Sequence, residues 1–147
     1  MIIIRKTILL IAIVMLLMSI GCVYLPSPDA SPSQVVDIFA SSNGIYYLMS
    51  TEYKKTVNEN DFENKKNKCE PNWIRYEYVG IINGSEHIEG NNASVEINYL
   101  EKFDDGVLGD YDPLSKMTQK TKTKTIYLIN ETSGWRLKGF SCELRTK

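Results

Sequence analysis

The sequence predicts an α+β fold in which N-terminal helices pack on one face of a four-stranded antiparallel sheet. Three observations predict it. Val35, Val36 and Phe39 recur at helical spacing. From Trp73 onward the apolar period switches to two. Turn signals, Asn83-Gly84 and Glu131-Thr132-Ser133-Gly134, then separate the alternating runs. Helices followed by a run of strands is the pattern of an α+β domain rather than of alternating βαβ units.

The chain opens with Arg5 and Lys6, an apolar run from Ile8 to Met18, and the small residues Ser19-Ile20-Gly21. That is the layout of a secretory signal, with the positive charges retained on the cytoplasmic side. Cys22, placed directly after Gly21, resembles the lipobox cysteine of prokaryotic lipoproteins, although Ser19 stands where that motif usually carries Leu. The resemblance implies a signal peptide over residues 1–21 and a diacylglyceryl group on the Cys22 thiol. The protein is then lipid-anchored in the cell membrane and faces away from the cytoplasm. Two other readings stay open: secretion with release, and an uncleaved helix over Thr7–Leu25, close to the ~20 residues a membrane span needs.

Residues 22–32 hold Pro26, Pro28 and Pro32 among Ser27 and Ser31, a composition that builds tethers rather than cores. A single domain is expected over 33–147. Without Arg5 and Lys6 the remaining 15 basic residues face 18 acidic ones, a net charge of −3. No basic field is available for phosphates, so nucleic acid is not expected as a partner.

Within the domain, Ser31 is placed to cap a helix with Pro32 at its first position and Gln34 completing a capping box. Ser41-Ser42-Asn43-Gly44 ends it. Ile45–Lys55 reads as a second helix on the spacing of Ile45, Leu48 and Met49. The polar stretch Asn58–Lys68, around Phe62, reads as a third. Four strands follow: from Trp73 to Val79, Ser94–Phe103, Gln119–Asn130 and Gly134–Leu144.

The Ser-Pro helix start with Val35, Val36 and Phe39, the Tyr46-Tyr47-Leu48-Met49-Ser50 run, the Phe62 helix and the closing Gly134-Trp135-Arg136-Leu137 hairpin together resemble the nuclear transport factor 2-like superfamily. The likeness covers roughly residues 31–144 and is nearest to small prokaryotic lipoproteins of unknown function. It implies that the four-stranded antiparallel sheet is curved, giving a cone-shaped domain whose mouth can hold a small apolar ligand. Phe39, Tyr46, Tyr47, Tyr99 and Trp135 are the candidate pocket residues, set against the reading that the same aromatics simply pack one another.

No catalytic residue is expected. His87 falls in the turn-like Asn83–Gly90 segment, and Asp37 on the first helix reads as a solvated carboxylate. No metal or cofactor is expected either, because the cysteines lack CxxC spacing and Asp104, Asp105, Asp110 and Asp112 do not fit a calcium loop. Cys69 and Cys142 are expected to form a disulfide, with two buried thiols as the alternative. As ends of a four-strand meander they lie on the order of 14 Å apart, so curvature or the loop before Trp73 has to close the gap. Lys120, Lys122 and Lys124 share one strand face, either as edge-guarding charge or as an attraction for anionic lipid headgroups. Asn83, Asn92 and Asn130 begin N-glycosylation sequons. These features point to a membrane-tethered binding or interaction domain, for an unknown protein or a small apolar ligand. A small isomerase or hydrolase, or a purely structural envelope component, is the alternative.

Overall fold

The structure, a computed structural model, describes residues 25–69, 74–103 and 118–145. It is α+β, with helices on one side of a curled antiparallel sheet. Helix α1 (Pro32–Ser41) starts as its sequence dictates. The Ser31 hydroxyl accepts from the Gln34 N–H at 3.3 Å, and the Gln34 side chain accepts from the Ser31 N–H at 2.9 Å. Val35, Val36, Phe39 and Ala40 are buried.

The stretch predicted as one helix over Ile45–Lys55 is instead a 3₁₀ turn at Tyr46–Leu48 followed by a separate helix, α2 (Thr51–Thr56). The break has a backbone cause. Met49 forms a parallel bridge with Leu137, and the Ser50 N–H donates to the Leu137 carbonyl at 2.8 Å. A group bonded to the sheet is no longer free for a helix. Ser50 then caps α2 by accepting from the Tyr53 N–H. Helix α3 (Glu59–Asn67) is polar except for Phe62, which is fully buried.

The sheet contains β1 (Ile74–Ile81), β2 (His87–Glu89), β3 (Asn92–Phe103), β4 (Thr118–Glu131) and β5 (Gly134–Leu137). Its order is β1-β3-β4-β5, with β2 also on β3, and every pairing is antiparallel. The described sheet thus has five strands rather than four, because His87–Glu89 pairs with Asn92–Ser94 instead of staying a turn. A bulge between Tyr78 and Gly80 bends β1.

The fourth predicted strand is cut short at Leu137. Residues 138–145 leave that edge and run to the opposite one through a 3₁₀ turn at Cys142–Leu144. The Lys138 N–H still donates to the Tyr127 carbonyl at 2.9 Å, and at the far end the Tyr78 N–H donates to the Arg145 carbonyl at 2.8 Å. This strap carries Phe140 and the fully buried Leu144 onto the core. Phe62 sits at the centre, its ring 5.2 Å from Phe140, 5.4 Å from Tyr46 and 6.4 Å from Phe39.

Part of the Pro/Ser-rich segment is folded onto the domain. Ala30 joins the core, and the Pro28 backbone lies against Gly134. Gly134 has φ +95°, and a Cβ there would sit 2.9 Å from the Pro28 carbonyl oxygen. Both the conformation and the space therefore require glycine. Replacing Phe62 by Ala is expected to cost about 3–5 kcal/mol, read as a lower midpoint in thermal unfolding followed by circular dichroism.

Candidate functional site

The concave face of the sheet is divided along its strands. Ala93, Val95, Ile97, Ile126 and Leu128 form an apolar half buried in the core. Register carries the face onward into polar residues: Ile97 lies opposite Lys124, Tyr99 opposite Lys122, and Glu101 opposite Lys120. Across β1 the same face receives Tyr78 opposite Tyr99 and Tyr76 opposite Glu101. The strap adds Ser141 and Glu143.

These groups pair with one another. Lys122 forms an ion pair with Glu101. Lys124 donates to Glu143 at 2.9 Å, and the Ser141 hydroxyl donates to the same carboxylate at 2.7 Å. The Tyr76 and Tyr99 rings meet edge to face, 6.1 Å apart. The lysine row read from sequence as a surface stripe therefore lies on the concave side, with Lys122 and Lys124 tied to carboxylates. Burial works against ionising Glu143, but the hydrogen bonds from Lys124 and Ser141 outweigh it and hold its carboxyl below the usual value. The hydrogen bond to Glu101 raises the Lys122 ammonium. Burial foremost, then nearby carboxylate charge, raises the phenols of Tyr76 and Tyr99.

A carboxylate held ionised by a lysine is a weak general base near neutral pH. Among the described residues no three His, Cys, Asp or Glu side chains converge as a metal site would require. The pairing keeps charge on a partly covered face with compensation for Lys122 and Lys124.

The candidate pocket residues are dispersed. Phe39 and Tyr46 both pack on Phe62 in the core. Tyr99 belongs to the polar half, and Trp135 is buried on β5. Tyr47 is 49% exposed, with the Arg136 guanidinium 5.1 Å and the Lys54 ammonium 5.2 Å from its ring centre. Burial and the nearby Arg136 charge lower the Lys54 ammonium. A separate cleft of about 330 Å³ lies between the N-terminal segment and α1, bordered by Pro26, Asp29, Gln34, Asp37 and Ile38. The Asp37 carboxylate at its rim accepts a hydrogen bond from the Tyr78 hydroxyl. Burial first, and that bond second, push the Tyr78 phenol upward. His87 is exposed on β2 beside Glu89, at 3.0 Å.

Cys69 and Cys142 form a disulfide, with Cα atoms 5.3 Å apart. The crossing strap closes the gap that a regular meander would leave. Of the sequon asparagines, Asn83 lies in the exposed turn after β1 and Asn130 is exposed near the end of β4. Asn92 is held at its side-chain oxygen by Lys138, at 2.7 Å. Cys22 and the aspartates between Asp104 and Asp112 lie outside the described residues. Among the described residues no helix is long and apolar enough to cross a membrane. Neither a family model, a curated protein nor a solved structure matches this chain.

Sequence reasoning missed Glu101 and Glu143 as partners of the lysine row. The available signal was the position of Glu101 on the same alternating face as Val95, Ile97 and Tyr99, where an unpaired carboxylate would be costly.

Because the folded pKa of Glu143 is depressed, its stabilisation is complete above the ordinary value of 4.5 and is lost as pH falls through the lower folded value. Glu143→Gln should therefore flatten the acid limb of a stability-against-pH curve below that value, measured by denaturant unfolding. Cys142→Ser should cost about 4 kcal/mol by the loop-closure model, and non-reducing against reducing electrophoresis of the parent should show the bridge directly.

Proposed function

We propose that this chain is a membrane-tethered extracytoplasmic lipoprotein, anchored through Cys22, whose one domain binds a partner through its surface. The filled interior supports surface binding over a deep ligand pocket. Where the nuclear transport factor 2-like resemblance implies an open cone, Phe39, Phe62, Phe140 and Leu144 occupy the space. The disulfide clamps the strap that seals it. The superfamily reading itself rests on the helices-then-sheet order and on the buried Trp135 in the last hairpin.

One observation favours the rival reading of a small isomerase or hydrolase: the Asp37–Tyr78 hydrogen bond at the rim of the cleft beside α1. Asp37 is exposed, so water competes for its hydrogen bonds and screens its charge, and catalysis gains little from such a group.

The anchor is tested by intact-mass analysis of detergent-extracted protein. The expected species begins at Cys22 and carries the added mass of a diacylglyceryl group. An unmodified Cys22 or an intact leader would defeat the anchoring reading. In detergent phase partitioning, Cys22→Ala should move the protein into the aqueous phase.

A further inference from the structure

Two cations beside the turn between β4 and β5 have no carboxylate bonded to them. Arg136 is 4% exposed, and its guanidinium donates to two main-chain carbonyls, that of Trp135 at 2.8 Å and that of Ser133 at 2.9 Å. The Lys54 ammonium donates to the Tyr47 carbonyl at 2.9 Å. Among the described residues neither cation forms an ion pair, whereas Lys55, Lys66, Lys102, Lys122 and Lys124 each do. One carboxylate acts on Lys54, that of Glu131. Both its oxygens are taken by Thr51, by the N–H at 2.7 Å and by the hydroxyl at 2.8 Å. Glu52 and Lys55 on α2 offset each other. The cluster therefore keeps two cations against one carboxylate. Burial foremost lowers the Lys54 ammonium, and after it the Arg136 charge outweighs that of Glu131.

Tyr47 joins the two cations, with both charges near its ring and 49% of the residue exposed. A half-open phenol with an apolar body is the kind of side chain that settles at a membrane–water interface. A guanidinium taken out of water without a carboxylate is costly unless an anion answers it. The chain's own path shows where that anion comes from. Glu131 and Arg136 flank the turn whose Gly134 packs against Pro28, and Pro28 stands six positions after Cys22. An anchor at Cys22 leads directly to this turn.

We infer that Tyr47, Lys54 and Arg136 form a seat for anionic phospholipid headgroups, which sets the domain on the bilayer with the turn between β4 and β5 towards the lipid. This seat rests on the reading of the chain as membrane-tethered and adds an orientation to it. The headgroup phosphate carries the charge that the cluster lacks, and the ester region beneath it receives the Tyr47 ring. A free phosphate shares the charge but brings no apolar neighbour for that ring. Because the tether already holds the domain at the surface, a weak attraction is enough to orient it.

The test mixes the full chain with lipid vesicles, either phosphatidylcholine alone or phosphatidylcholine with about 30% phosphatidylglycerol. Brief acetylation followed by peptide mass spectrometry reads the accessibility of the Lys54 amine, with Lys120, exposed near the far end of β4, as the reference. Relative to Lys120, Lys54 should react about fivefold more slowly on the anionic vesicles, the effect of one net cation at such a surface. Raising salt from about 50 to about 500 mM should erase most of the difference. Arg136→Gln should abolish it. Tyr47→Ser, at an exposed ring, should reduce it with an unchanged circular dichroism spectrum. Equal Lys54 reactivity on the two vesicles would overturn the seat. So would an effect that survives high salt, Tyr47→Ser or a folded Arg136→Gln undiminished. Equal protection by about 10 mM inorganic phosphate on phosphatidylcholine vesicles would also overturn it, marking a free-anion site instead. Flotation reads the tether separately. A chain that floats with phosphatidylcholine vesicles but shows no Lys54 effect on anionic ones keeps its tether and loses the seat. One that floats only with anionic vesicles, with Lys54 protected, keeps the seat and loses the tether.

Discussion

The domain depends on the burial of one ring, Phe62. Helix α3 has no other apolar side chain, and a polar helix of this length has little stability of its own in water. It is held by the Phe62 contacts with Phe39, Tyr46 and Phe140 at one point and by the disulfide just past its end at another. The same ring fills the space beneath α1 and supports the strap, so three segments distant in sequence converge on it. The disulfide and the aromatic cluster reinforce each other: one fixes where the strap lies, and the other gives it something to pack against.

Beyond that cluster the concave face changes character. A strand that faces a core ordinarily alternates apolar and polar residues along its whole length. Here β4 keeps the alternation but carries lysines in place of apolar residues at the inward positions before Ile126. Glu101 and Glu143 answer them from β3 and from the strap. The pairs are partly exposed, with the Lys122 side chain 45% accessible and that of Glu101 10%. Their contribution to stability is accordingly modest. They draw ammonium groups over the face of the sheet.

Much of the architecture was legible in local chemistry. Ser31, Pro32 and Gln34 specify a helix start, Asn58 opens another, and the alternation through β3 and β4 specifies two strands, with Val95, Ile97 and Tyr99 marking the inward face of β3 while the lysines disguise that of β4. What escaped depends on contacts between distant segments. Nothing local in Ile45–Lys55 shows that Met49 and Ser50 will be taken by Leu137. The alternation after Gly134 continues past Leu137, and only the pull of Phe140 and Leu144 into the core ends the strand there. The His87–Glu89 pairing is short and exposed on every residue, so it leaves no burial pattern to read. The candidate pocket failed to assemble for a related reason: Phe39, Tyr46 and Trp135 do face inward, but the interior they face is already full.

The contact between Pro28 and Gly134 sets a length. Pro28 stands six positions after Cys22, and a fully extended chain of six steps spans at most about 20 Å. If Cys22 carries the proposed acyl anchor, the turn between β4 and β5 would be leashed within roughly that distance of the bilayer surface, and the domain could not wander as on a long stalk. Strand β4 leads away from this turn, and Thr121 lies about 33 Å along it from Glu131, at ~3.3 Å per residue. Under such an anchor, the far end of this strand could reach higher above the bilayer than the turn could.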